Sequence, residues 1–121
     1  MLREFEDVKQ FTGEPRRRWF EDEYFDLIVW QNEGSEIIEF ELSYDKSKNQ
    51  RAIRWEKSAG FAHYRVDDGD RPGKHKATPV LFSGGSFDFE KIAQFFLHAS
   101  NGVNEKIVKF VHEKILQYAK C

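Results

Sequence analysis

The chain has 121 residues, 33% of them charged, and a formal charge of -2. That length suffices for one domain with a real core. The slightly acidic balance argues against a dedicated nucleic-acid binder, whose phosphate contacts need a basic field. No apolar run is long enough to cross a bilayer. No apolar stretch of a signal peptide follows Met1-Leu2-Arg3-Glu4. The single cysteine, Cys121, has no internal partner for a disulfide, which suits a reducing, cytoplasmic compartment.

In chain order, Leu2, Phe5 and Val8 have the spacing of a short amphipathic helix, ended by Gly13-Glu14-Pro15. Arg16 to Phe20 reads as a strand. A two-residue turn after it sets Arg17 opposite Asp26. A three-residue turn sets Arg18 there and brings Trp19 inward beside Phe25, which is the preferred arrangement.

Residues 24–66 read as four strands joined by three tight turns. Ile38, Phe40, Leu42 and Tyr44 alternate with Glu39, Glu41 and Ser43, the period of a half-buried strand. A loop of Lys46 to Asn49 pairs Phe40 with Trp55, Leu42 with Ile53, and Glu41 with Arg54. A Glu33-Gly34 turn pairs Leu27 with Phe40 and Asp26 with Glu41. A Ser58-Ala59 turn pairs Ile53 with Tyr64 and Arg54 with His63. One face is then apolar. The other carries a row of Arg17 or Arg18, Asp26, Glu41, Arg54 and His63, with Ile28, Trp30, Ile37 and Phe61 around it.

A charged loop of residues 67–76 follows, rich in turn formers. Ala77 to Phe82 resembles an edge strand, because Pro79 cannot donate to a ladder. Asp88 is placed to cap a helix through His98, and Asn101-Gly102 ends it. A second helix runs from about Val103 to Tyr118. Strands first and helices last predict one α+β domain over 1–121. Its antiparallel β-meander has about five or six strands, with two C-terminal helices packed on one face.

The polar row is the leading site. Neighbouring strands lie about 4.8 Å apart, close enough for Asp26 and Glu41 to couple and for one to act as a general acid. Flanking arginines favour both ionised forms and oppose that shift. Asp26 and His63 stand roughly 14 Å apart in this register, too far for a direct triad. The bland counterpart is a solvated face laced with cross-strand ion pairs. The exposed aromatics tip the balance toward a binding surface.

Elsewhere the signals are weaker. Asp67, Asp68 and Asp70 lack the spacing of a calcium loop, so no metal is expected there. Gly84-Gly85-Ser86 lacks the lysine of a phosphate loop and reads as a turn. Arg71, Lys74, His75 and Lys76 form a small basic patch that three aspartates offset. His98 and His112 read as ordinary helix residues. No nucleophile elbow or cofactor motif is present, and no cofactor is expected.

Phe25-Asp26-Leu27-Ile28-Val29-Trp30, Val66-Asp67-Asp68-Gly69 and Lys76-Ala77-Thr78-Pro79-Val80-Leu81 resemble phrases of a small family of hypothetical bacterial proteins. The resemblance covers most of the chain from Trp19 onward. It implies a cytosolic protein and no particular activity.

Three functional expectations follow from these residues. The first is a ligand- or protein-binding module whose site residues are Asp26, Glu41, Arg54, His63, Arg18, Trp30, Asp67, Asp68, Lys74 and His75. The second is a small acid–base or hydrolytic enzyme using Glu41 or Asp26 with His63, and Arg54 to hold an anionic group. The third is a structural homodimer joined through the apolar part of the same face.

Overall fold

The computed structural model describes residues 1–5, 10, 13–47, 50–66, 77–79 and 89–119. The strands are β1 (Arg3–Glu4), β2 (Arg16–Glu21), β3 (Phe25–Gln31), β4 (Ile37–Tyr44), β5 (Arg51–Glu56), β6 (Gly60–Val66) and β7 (Ala77–Pro79). They form one antiparallel sheet in sequence order, followed by α1 (Phe89–Ala99) and α2 (Glu105–Ala119). This is the expected α+β meander with two C-terminal helices on one face. The early segment departs from expectation: Arg3 and Glu4 pair with β2 instead of forming a helix. Leu2 beside them is buried, and its N–H donates to the last carbonyl of α1, on Ala99, at 2.7 Å.

Four turns decide which side chains reach which face. At β2–β3, the Asp22 carboxylate accepts the N–H groups of Tyr24 and Phe25 at 2.8 and 2.6 Å. That side-chain turn leaves only Glu23-Tyr24 as the loop and sets Glu21 opposite Asp26. Phe20 therefore takes the core position expected of Trp19. Trp19 crosses to the other face opposite Ile28, and Arg18 lies opposite Val29.

At β3–β4 the loop is one residue longer than Glu33-Gly34. Ser35 donates to the Asn32 carbonyl at 2.9 Å and takes the left-handed conformation, φ 64°. The Asn32 side chain seals the loop, its Oδ1 accepting the Glu36 N–H at 3.0 Å. A bulge opposite Trp30 and Gln31 then adds a second residue and turns Ile37 toward the helices. Two added residues preserve the faces but move the register. Leu27 meets Leu42, and Asp26 meets Ser43 instead of Glu41.

At β4–β5 the expected register holds, with Phe40 against Trp55, Leu42 against Ile53, and Glu41 against Arg54. At β5–β6 the loop is Lys57-Ser58-Ala59, with Ala59 donating to Glu56 at 3.1 Å and Gly60 at φ 81°. One added residue turns the whole of β6 over. Ile53 meets His63, and Arg54 meets Ala62.

The helices bury the face built from Phe20, Leu27, Val29, Phe40, Leu42 and Ile53. Each helix presents residues at helical spacing: Ile92, Ala93 and Phe96 from α1, and Ile107, Val111 and Ile115 from α2. Phe96 meets Phe25 edge-on at 6.0 Å, and Phe110 meets Trp55 at 5.2 Å. Asn104 caps α2, its Oδ1 accepting the Lys106 N–H at 2.9 Å. Neither described helix is long and apolar enough to cross a membrane.

Candidate functional site

The registers divide the sheet's polar residues between its two faces. Side chains alternate along a strand, so Asp26, Glu41, Arg54 and Trp30 share the face opposite the helices. Arg17 joins them opposite Trp30. His63 and Arg18 do not. His63 lies beneath the helices, with Phe89 edge-on at 5.2 Å and Tyr118 at 6.1 Å. Arg18 pairs with Glu4 at 2.8 Å and stands over the Phe20 ring. The expected row from arginine through Asp26, Glu41 and Arg54 to His63 is therefore broken in three places: Glu21 and not an arginine faces Asp26, Asp26 does not face Glu41, and His63 does not face Arg54. The cause is turn length: one left-handed glycine, Gly60, exchanges the faces of His63 and Tyr64. Asp67, Asp68, Lys74 and His75, like the glycine turn of residues 84–86, lie outside the described residues.

On the helix-free face, Glu41 is 2% exposed and Asp26 5%. Tyr64, brought over by the β6 inversion, donates its hydroxyl to Glu41 Oε1. Burial raises the Tyr64 pKa, and the Glu41 charge adds to the rise, so the phenol keeps its proton and remains a donor. Arg54 bridges Glu39 and Glu56 at 2.8 Å each, two carboxylates directly opposite one another on neighbouring strands. Burial raises the Glu39 pKa, and Arg54 opposes that rise. Asp26 is likewise raised by burial and held back by Lys46, whose Nζ stands 3.1 Å from its carboxylate. Lys46 also donates to the Asp22 carbonyl at 2.9 Å, tying the β2–β3 turn to the β4–β5 turn.

Two donors on this face have no acceptor among the described residues. They are Trp19 Nε1–H and Arg54 Nε–H, both buried atoms in the cross-strand row Trp19–Ile28–Glu41–Arg54. Sequence reasoning missed Trp19, Tyr64 and Lys46 here. The signal for Tyr64 was present in Gly60, which follows a turn able to precede a left-handed residue.

The helix face holds a second polar group. Tyr44 Oη and His63 Nε2 are 2.5 Å apart, and their rings stack at 5.9 Å. Burial pushes the His63 pKa down to about 4, and the neighbouring Arg51 charge pushes the same way. The imidazole is thus neutral at pH 7 and shares a hydrogen bond with the Tyr44 hydroxyl, which keeps its proton.

Two surface depressions open at other places. One, of about 440 Å³, lies beside Gln10, Arg16 and Asn32. The other, of about 410 Å³, lies between Tyr24, Phe95 and His98. Among the described residues, no three His, Cys, Asp or Glu side chains gather as a metal site. No protein-family model, curated protein or solved structure matches the chain.

Proposed function

We propose that the chain is a small non-catalytic binding module whose recognition surface is the helix-free face of the sheet. The carrying observation is the pair of buried donors on that face, Trp19 Nε1–H and Arg54 Nε–H, without acceptors among the described residues. Leaving a buried donor unpaired costs about 1–3 kcal/mol. A ligand bearing acceptor oxygens would offset that cost once the side chains that cover these two atoms give way to it. Tryptophan, tyrosine and arginine are also the residues that most often dominate binding energy. Trp19, Trp30, Tyr64 and Arg54 supply all three types on one face.

The acid–base reading needs His63 beside Glu41 and Arg54, and the sheet separates them. Binding is therefore preferred to catalysis by that constellation. A cytoplasmic location belongs to the same reading, on the strength of the lone cysteine.

The test is an NMR screen of the full chain against small polar molecules that carry hydroxyl, amide or carboxylate acceptors. Saturable ligands should move the Trp19 indole N–H resonance and lose affinity in Arg54→Ala. A screen whose reproducible ligands all leave that resonance unmoved would count against the proposal.

A further inference from the structure

We infer that Asn101 is a self-modification site, converted to aspartate or isoaspartate by attack of the chain's own backbone. Asn101-Gly102 lies in the connection between α1 and α2, and both residues are exposed. The reaction needs the backbone nitrogen of the following residue to reach the side-chain carbonyl carbon. Glycine has no Cβ to block that approach. Asn101-Gly102 is the one Asn-Gly pair in the chain.

The other asparagines show what protects such a side chain. Asn32 holds Glu36 twice, accepting its N–H at 3.0 Å and donating to its carboxylate at 3.0 Å. Asn104 accepts the Lys106 N–H at 2.9 Å as the cap of α2. A glutamate follows each of these two, and a glutamine follows Asn49. The Asn101 side chain has no hydrogen-bond partner among the described residues, and the Gly102 N–H has no backbone acceptor among them. Attacking nitrogen and attacked carbonyl are therefore both unengaged.

The step balances with water alone. The Gly102 nitrogen bonds to the Asn101 side-chain carbonyl carbon and gives up its proton. The bond from that carbon to the amide nitrogen breaks, and ammonia leaves with the proton. A cyclic imide joins the two residues until water opens it at either carbonyl. One opening leaves aspartate, and the other routes the main chain through the side chain as isoaspartate. Either product adds a carboxylate just past the C-terminus of α1, where the helix dipole disfavours negative charge. Isoaspartate also adds a methylene group to the main chain between Ser100 and Val103. The Val103 N–H closes this turn by donating to the Ser100 carbonyl at 3.0 Å, and Leu2 rests on the adjoining Ala99. The conversion loosens the seat of β1. It involves neither face of the sheet, so it is independent of the recognition surface.

The full chain is warmed at neutral pH for several weeks, and its peptides are mapped by mass spectrometry. The mass change of amide-to-acid conversion should accumulate at Asn101 ahead of Asn32 and Asn104. Isomerisation at Asp68-Gly69 changes no mass and does not interfere. Gly102→Ala brings its Cβ no closer than 3.5 Å to the Leu2 carbonyl oxygen and should fold as the parent does. It should slow the conversion at least about tenfold, because the added Cβ hinders the attacking nitrogen. In the isoaspartate product, amide hydrogen exchange should quicken at Leu2 and Val103. An intact Asn101, conversion of Asn32 or Asn104 at the same rate, an equal rate in Gly102→Ala, or unaltered exchange at Leu2 and Val103 would each overturn the inference.

Discussion

His63 shows how far one side chain's chemistry depends on its face. In solvent it would titrate near 6.5; under the helices its pKa is about 4. Between those values the unfolded chain binds a proton that the folded imidazole refuses. Stability is therefore complete above about pH 6.5 and falls as the pH drops toward 4. The full effect is at most about 3 kcal/mol. His63→Phe keeps a flat ring and should flatten this acid limb, measured by urea denaturation at pH 7, 6 and 5. Asp26 and Glu39 have raised pKa values and contribute the opposite slope at lower pH, but they do so equally in both proteins. Identical slopes would mean that the imidazole is solvated. Tyr64 offers a parallel test on the other face. Tyr64→Phe removes a buried hydroxyl that donates to Glu41 and should cost about 1.5–3 kcal/mol in the same assay, the range for hydrogen bonds to charged groups. A loss below about 0.5 kcal/mol would show that the bond carries no net stability.

At the scale of elements, the hairpin turns set the distribution of function. Gly60 adopts φ 81° with open space around its Cα, so an added methyl group meets backbone strain and no clash. Gly60→Ala should cost about 1 kcal/mol or more by thermal denaturation, whereas an unchanged midpoint would deny the left-handed turn. Much of this level was legible in the residues. The alternation from Ile38 to Tyr44 identified β4 and its pairing with β5, and helical spacing identified both helices. The turns were harder, because a loop of two residues and one of three differ by a single residue that no apolar pattern marks. At β3–β4 the loop and the bulge each added one, so the faces survived the error. At β5–β6 only one was added, and His63 and Tyr64 exchanged sides. At β2–β3 the deciding group was the Asp22 carboxylate, which replaces backbone acceptors and shortens the loop. A side chain that builds its own turn gives no periodic signal.

At the scale of the whole molecule, one sheet separates two kinds of polar chemistry. The helix-free face gathers carboxylates around Arg54 and Lys46. The helix face holds a neutral imidazole, phenols and the Arg51–Arg65 pair. Arg54→Ala should lower stability by only about 1 kcal/mol, because its partners Glu39 and Glu56 remain partly solvated. Unfolding of that variant would mean that Arg54 belongs to the core instead of a recognition surface. The separation of the faces underlies the proposed binding surface. Its most direct test is the set of proton–proton NOEs from the His63 ring in the folded chain. Cross-peaks to the rings of Tyr44, Phe89 and Tyr118 are expected. Cross-peaks from that ring to the Glu41 or Arg54 side chains, with none to the helices, would contradict the account.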